Sequence, residues 1–186
     1  MMNHIDLSSV LRQTVACDLY SNLVTRPTGA AVRTQIERLL DDARERTLTV
    51  IDFSQVSMID FSCADEVIAK LLMQYEMEPP PHDAYFLFRG VTEEHWEAIE
   101  AVLERRGLAL VLEQADGVRV VGELGSEDRL TWEAVRQLGR ATAVDIADAL
   151  GIPASDVQRS LDALRRRRLV MRVGDDYVVV GAHRGG

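Results

Sequence analysis

Ser62 is the residue of this sequence whose type and position best suit regulatory chemistry. It follows a continuous apolar run at 48–53 and a short loop, and a segment with helical periodicity begins at it. A hydroxyl at the start of a helix can accept a hydrogen bond from a free backbone N–H. The same N–H groups and the positive end of the helix dipole also favour a phosphate. Ser62 is therefore interpreted either as an ordinary helix cap or as a phosphoacceptor.

The acidic residues beside Ser62 favour the cap. Asp65 follows it by three residues, the spacing of a capping box, in which the acid reaches back to the start of the helix. Asp60, Asp65 and Glu66 would also repel a phosphoserine, whose charge is about −2. The sequence thus predicts that a helix begins at Ser62 and that Ser62 caps it.

Catalysis has little support in the sequence. The four histidines are scattered, and none occupies a motif position relative to Ser62: His4, His82, His95 and His183. His95, which precedes Trp96, is expected on the polar face of a helix. The sequence contains no glycine-rich phosphate loop, no zinc-ligand spacing and no nucleophile elbow. We therefore expect no enzyme activity, no catalytic residue, no metal site and no cofactor.

The composition is typical of a cytoplasmic protein. Hydrophobic residues make up 47% of the 186 residues, which is enough for a packed core. No apolar run approaches the roughly 20 residues of a membrane span, so no membrane contact is expected. Cys17 and Cys63 are too few for a disulfide framework, and both are predicted to be buried, reduced thiols.

The net charge of −9 is unevenly distributed along the chain. Residues 1–126 contain 11 basic and 21 acidic side chains, whereas residues 127–186 contain 10 basic and 9 acidic ones. This shift predicts two domains, residues 1–125 and residues 126–186, with the boundary near Gly125 and Ser126. The acidic first domain is unsuited to nucleic acid, because phosphate contacts supply most of the affinity for it.

The first domain alternates apolar strands with amphipathic helices. A helix is predicted over 30–46, with Thr28 as its cap and with Pro27 excluding an earlier start. Its apolar face consists of Val32, Ile36, Leu39, Leu40 and Ala43. Later strands are predicted at 84–89, 108–112 and 118–121, later helices at 62–75 and 92–107, and less regular short strands at Val10-Leu11 and Leu19-Tyr20. This order predicts an α/β fold, a sheet with helices packed on it.

The second domain is predicted to contain three helices and a hairpin. Residues 128–180 resemble the winged helix-turn-helix of bacterial regulators, through Ile146-Ala147, Leu150-Gly151-Ile152 and the apolar Val157 and Leu161. The resemblance implies that the third helix enters the major groove of DNA. The residues that it assigns to DNA binding are Ser155, Gln158, Arg159, Arg165, Arg166 and Arg172. Because acidic residues interrupt this set, protein docking by the same helix stays open as an alternative.

The first domain resembles the STAS domain, the sulfate-transporter and anti-sigma-antagonist fold, over residues 5–122. The matching residues are Val24-Thr25-Arg26, Ile51-Asp52-Phe53-Ser54-Gln55-Val56 and Ile59-Asp60-Phe61-Ser62-Cys63-Ala64-Asp65-Glu66. In anti-sigma-factor antagonists, the serine at this position is phosphorylated by a kinase that is also an anti-sigma factor, and the unphosphorylated form captures that kinase. Phe61 and Cys63 depart from the pattern, since antagonists have a small residue and a glycine there.

The resemblance implies a non-enzymatic role in transcription regulation or partner switching. The residues that it assigns to phosphate acceptance or partner binding are Ser62, Asp60, Phe61, Asp65 and Arg26. It implies a regulatory protein of the serine-kinase, anti-sigma type as partner, the winged-helix resemblance adds duplex DNA, and a homodimer is a further expectation. Two alternatives stay open: a small-ligand sensor, and an adaptor whose winged helix makes only protein–protein contacts.

Overall fold

The computed structural model of the protein describes residues 2–6, 22–43 and 45–182. The short strands predicted at Val10-Leu11 and Leu19-Tyr20, and the Cys17 thiol, lie outside these residues. Among the described residues, no helix combines the length and the apolar character that crossing a membrane requires.

A five-stranded sheet forms the centre of the molecule, in the order β1-β3-β5-β6-β7. The pairs β1–β3, β3–β5 and β5–β6 are parallel, and β6–β7 is an antiparallel hairpin. The strands of this sheet are β1 (Met2–Asp6), β3 (Thr47–Asp52), β5 (Ala84–Arg89), β6 (Ala109–Gln114) and β7 (Gly117–Gly122). A separate short parallel pair is formed by β2 (Asn22–Leu23) and β4 (Met58–Ile59), and it brings the two chain segments that follow these strands together.

Three helices cover one face of the sheet. They are α1 (Arg26–Asp41), α2, which runs without interruption through Phe61–Ala64, a π-helical turn at Asp65–Ala69 and Lys70–Glu76, and α3 (Glu93–Arg106). The predicted apolar face of α1 is confirmed at Val32, Ile36 and Leu40, which are fully buried, whereas Leu39 is exposed. The predicted start of α1 is wrong. Pro27 lies in the first turn, where the missing N–H costs nothing because first-turn N–H groups have no partner within the helix.

The C-terminal segment consists of three helices and a β-hairpin. Its elements are α4 (Ser126–Leu138), α5 (Ala143–Leu150), α6 (Ala154–Arg166), β8 (Val170–Val173) and β9 (Asp176–Val179). Thr142 caps α5 as predicted, in a capping box with Asp145. Ala141 forms an isolated antiparallel β-bridge with Tyr177 of β9, which attaches the chain before α5 to the hairpin. The indole N–H of the fully buried Trp132 donates to the carbonyl of Leu169 at 3.1 Å and fixes α4 against the start of β8.

Both faces of the sheet are buried, each under a different layer. Ile51, Phe86 and Leu110 belong to the core beneath α1, α2 and α3. Their sequence neighbours Val50 and Leu87 belong to the opposite core, which continues into the C-terminal segment. Side chains alternate between the faces of a strand, so continuous apolar runs are what a sheet covered on both sides requires. The predicted α/β fold class is confirmed as a mixed α/β structure.

Candidate functional site

The carboxylate of Asp60 connects the starts of two helices. Its Oδ1 accepts the N–H of Cys63 at 2.8 Å, in the first turn of α2. Its Oδ2 accepts the N–H of Thr25 at 2.9 Å, immediately before α1. We call the surface formed by Asp60, Phe61 and Ser62 the corner. Its backbone is held in place by hydrogen bonds from two different chain segments.

The helix cap is Asp60, and the prediction that Ser62 caps α2 is wrong. Asp60 has the extended backbone of an N-cap, with φ −95° and ψ 172°, and α2 begins at Phe61. Aspartate and serine are both good caps, so the sequence offered two solutions two residues apart. Since Ser62 lies inside the first turn, half-buried, its hydroxyl is not needed to cap the helix.

Asp65 does not reach back to the start of the helix, so the predicted capping box is also wrong. Its side chain instead binds Arg106 of α3 at two points, with Nε and Nη2 each 2.9 Å from a different carboxylate oxygen. Arg26 of α1 adds a third contact at 2.9 Å. The hydrogen bonds from Arg106, together with those from Arg26, lower the pKa of the buried Asp65 to about 2.

Glu66 is likewise buried and paired. Its Oε1 accepts from Arg26 Nη1 at 2.8 Å and from Lys70 Nζ at 2.5 Å, and its Oε2 accepts from Arg33 Nη2 at 3.2 Å. Burial raises the pKa of Glu66, but the hydrogen bonds from Lys70, Arg26 and Arg33 outweigh it, and the pKa lies below its ordinary value. We call the six side chains Asp65, Glu66, Arg26, Arg33, Lys70 and Arg106 the carboxylate network.

The carboxylate network depends on a close approach of α1 to α2. A Cβ on Gly29 would lie 2.9 Å from both Cys63 Cα and Glu66 Cβ, so only glycine fits there without displacement. Both acids also lie at the start of the π-helical turn of α2, and such turns recur at functional sites.

Sequence reasoning assigned Arg26 to the site and missed Arg33, Lys70 and Arg106. Gly29 at the start of a predicted helix was the signal that could have indicated a close crossing of α1 and α2.

The network changes the expectation about repulsion at Ser62. Asp65 and Glu66 were expected to oppose a phosphate, yet both carboxylates are paired with cations of three helices. Asp60, the third acid near Ser62, differs from these two. Within the described part of the chain, its carboxylate accepts backbone N–H groups and is not paired with a cation. Paired carboxylates contribute less negative potential at Ser62 than free ones would.

Thr25 has a backbone conformation that threonine rarely adopts. Its φ is 75°, in the left-handed region, where a β-branched side chain is strained at a cost of about 1–3 kcal/mol. The hydrogen bond from the Thr25 N–H to Asp60 Oδ2 holds this conformation. The next residue, Arg26, belongs to the carboxylate network. The strained residue therefore lies where the corner and the network meet.

Beside the corner is a shallow cavity of about 300 Å³ between the start of α2 and α3. It is lined by Ile59, Asp60, Phe61, Glu94, Glu97, Ala98 and Ala101. Phe61 is half-buried, and the guanidinium carbon of Arg105 lies 5.5 Å from its ring centroid. The cavity thus combines an apolar wall with the three carboxylates of Asp60, Glu94 and Glu97.

The cysteine next to the corner is a buried, free thiol. Cys63 is fully buried, as predicted. Burial, with smaller contributions from the charges of Asp60 and Glu66, raises the pKa of Cys63 to about 12. Because the thiolate is the reactive form, burial and the raised pKa disfavour nucleophilic reaction at this cysteine.

The residues predicted to bind DNA fall into separate groups. Ser155 and Arg159 are exposed on the first half of α6, and Arg159 faces Asp156 at 3.6 Å. The amide of Gln158 is already bonded to Asp162 at 2.9 Å and to the Tyr177 hydroxyl at 3.0 Å. Reading a base with Gln158 would require these bonds to break.

The remaining three arginines of that set lie elsewhere. Arg165 and Arg166 end α6, roughly 16 Å along the helix axis from Ser155 at 1.5 Å per residue. Arg172 lies on the hairpin, where its Nε donates to the Gly174 carbonyl at 2.9 Å and its Nη2 faces Asp175 at 3.6 Å. Arg165 and Arg166 thus lie at the opposite end of α6 from Ser155, whereas Arg172 pairs in register with Tyr177, the residue that Gln158 contacts.

A scan of protein-family models and a search of curated proteins each found no match to this chain.

Proposed function

We propose that this protein is a non-catalytic regulator whose STAS-like domain docks a partner protein at the corner. The observation that carries the proposal is the Asp60 carboxylate, which holds the N–H groups of Thr25 and Cys63 at once. This arrangement fixes the backbone around Phe61 and Ser62 before any partner arrives. Binding then requires little ordering of the surface, which lowers its free-energy cost.

Phe61 supplies the anchor of the proposed interface. Its ring is half-buried and forms one wall of the cavity beside α3. Aromatic residues next to a recess are typical of the few positions that dominate binding energy. Ser62 follows Phe61 in the first turn of α2 and is half-buried, so it lies within the footprint of a partner that covers the start of this helix.

The charge of the cavity indicates the chemistry of the partner. Asp60, Glu94 and Glu97 line it, so a basic side chain inserted between Phe61 and α3 would be attracted. The STAS resemblance supplies the class, a regulatory protein of the serine-kinase, anti-sigma type. Ser62 contacts the partner through its hydroxyl, and a negative charge at this side chain weakens the complex.

The test is affinity purification from the native host with the full chain as bait, in wild-type form and as Phe61→Ala, Ser62→Asp and Arg159→Ala. We expect one kinase-like protein to be retained by the wild type and by Arg159→Ala, and to be lost from the other two. Equal retention by all four baits would contradict docking at the corner. The Arg159→Ala bait is the matched control because this side chain is exposed on a different part of the molecule.

DNA binding by the C-terminal segment is the second candidate function. It is supported by the exposed start of α6, where Ser155 and Arg159 lie, and by the hairpin that follows the helix as a wing. If the segment binds duplex DNA, retention falls steeply with salt and is reduced in Arg159→Ala and Gln158→Ala. Absence of retention at low salt would rule this candidate out while leaving the corner unaffected.

A further inference from the structure

A small cleft between the sheet and the end of α6 is lined mainly by arginines. Its volume is about 160 Å³, and it lies where residues of the first domain meet the C-terminal segment. The lining residues are Arg46, Glu78, Asp83, Tyr85, Arg165, Arg166 and Arg168. We call this the junction cleft.

Charge in the junction cleft does not cancel. Among the described residues that line it, four guanidinium groups face two carboxylates, which leaves a formal surplus of two positive charges. Asp83 is shared, since Arg46 Nε lies 2.9 Å from its Oδ2 and Arg168 Nη1 lies 3.7 Å from its Oδ1. In a protein with a net charge of −9, such a surplus at one recess is unexpected.

Several contacts hold the side chains at the floor of the cleft. Arg168 is 7% exposed, and its Nε donates to the Tyr75 carbonyl at 3.1 Å. The guanidinium carbons of Arg168 and Arg46 lie 5.1 and 5.8 Å from the ring centroid of Tyr85, which is itself buried. Both guanidinium groups are therefore positioned by ring stacking and hydrogen bonds, and little side-chain freedom is lost when a ligand binds.

The backbone at Arg168 is strained in a way that places this side chain. Its φ is 64°, a conformation that costs a non-glycine residue energy. The conformation turns the chain from α6 towards β8 and directs the guanidinium inward, whereas Arg165 and Arg166 stay exposed at the rim. The cleft thus has one buried guanidinium at its floor and two exposed ones at its edge.

We propose that the junction cleft binds the phosphate group of a small phosphorylated molecule. Guanidinium groups match phosphate oxygens in geometry and bind them with charge-assisted hydrogen bonds. A volume of about 160 Å³ holds roughly five waters, and it is smaller than the roughly 300 Å³ at which pockets for organic ligands begin. The recess therefore suits the anionic group itself, with the rest of the molecule outside.

The ligand would connect the two parts of the chain. Arg46 and Tyr85 belong to the sheet side, whereas Arg165, Arg166 and Arg168 belong to the end of α6 and the turn after it. An anion held by both sides stabilises their packing, because a ligand that binds only the packed form shifts the equilibrium towards it. This site is separate from the corner and does not depend on the proposed function.

The experiment uses the full chain and inorganic phosphate as the probe. The melting temperature is followed through a phosphate titration, with potassium chloride keeping the ionic strength constant. Three proteins are compared: wild type, the double variant Arg165→Gln/Arg166→Gln, and Arg159→Gln as the exposed arginine control on the same helix. We expect a saturable rise for wild type and Arg159→Gln, and a titration midpoint at least about tenfold higher for the double variant.

Two outcomes overturn the proposal. The first is a melting temperature that does not respond to phosphate in the wild type. The second is an equal response in all three proteins, which indicates a general salt effect. If the first outcome is accompanied by loss of duplex DNA retention in the double variant, the rim arginines are assigned to a nucleic-acid backbone instead.

Discussion

Asp65 and Arg106 form a two-point ion pair between α2 and α3, with two nitrogen–oxygen distances of 2.9 Å. The aspartate is buried, whereas the arginine is about one-third exposed. The pair therefore lies at the surface end of a buried network and joins helices that a short loop does not connect. Its first consequence concerns the response of stability to acid.

Stability should fall as Asp65 is protonated. Pairing lowers its pKa from 3.8 to about 2, so the stabilisation is present above about pH 4 and is lost as the pH falls towards 2. Chemical unfolding of wild type and Asp65→Asn across this range should show a difference that shrinks as the pH decreases. A difference that stays constant from pH 6 to pH 2 would contradict the assignment. Glu133→Gln, in the exposed pair with Arg136, is the control and should change stability little at any pH.

Gly29→Ala should destabilise the crossing of α1 and α2. The new Cβ would lie 2.9 Å from Cys63 Cα, which belongs to the backbone and cannot move aside easily. Overpacking of this kind costs about 1–3 kcal/mol, although alanine is otherwise the better helix former. Urea unfolding measures the loss. Gly125→Ala is the comparison, since nothing lies within 4 Å of a Cβ at that position and only the preference of the α4 N-cap for glycine over alanine is lost. An equal loss in both variants would argue against the close contact.

Asp60→Ala should weaken both folding and partner binding. It removes a helix cap and leaves the Thr25 N–H without its acceptor, and loss of a cap costs about 0.5–2 kcal/mol. Thr142→Ala removes a cap in α5 at similar cost, far from the corner in sequence. If the corner is the docking surface, partner retention falls for Asp60→Ala and is preserved for Thr142→Ala. Parallel losses in both would show that retention merely follows stability.

The sheet and the C-terminal segment should unfold together. Leu87 in β5 is fully buried in the same core as Trp132 of α4, so truncation to alanine should cost about 2–5 kcal/mol. With Trp96→Phe as background, fluorescence reports on Trp132. Leu87→Ala should shift this signal and the far-UV circular dichroism transition by the same amount. A Trp132 transition that does not move would show that the C-terminal segment unfolds independently. That result would agree with the two separate domains predicted from the sequence and would contradict joint unfolding.

The apolar pattern of the chain predicted much of the fold. Val32, Ile36 and Leu40 repeat at helical spacing and are buried, and the runs at 48–53 and 84–89 are strands covered on both faces. The helix and the two strands could be predicted because their apolar residues repeat at a spacing that is visible in the local sequence. Thr92 and Gly107, the predicted limits of a helix, are the N-cap and C-cap of α3.

The site was harder to predict, because its contacts join residues far apart in sequence. His95 was expected on a polar face, yet it is buried, with Nδ1 accepting the Thr92 N–H at 3.1 Å and Nε2 2.7 Å from the Val56 carbonyl. Since Nδ1 accepts, the proton lies on Nε2, which donates. Arg106 resembled an ordinary basic residue at a helix end, and its pairing with Asp65 across 41 positions leaves no local pattern.

The sheet is a single layer of strands between two cores, and β3 shows what this implies. Val50 and Ile51 are adjacent in the chain, yet one packs beneath the C-terminal segment and the other beneath α1 and α2. A shift of β3 along its own axis would displace side chains in both cores together. Neither core can be repacked, by mutation or by a bound partner, without the other being strained.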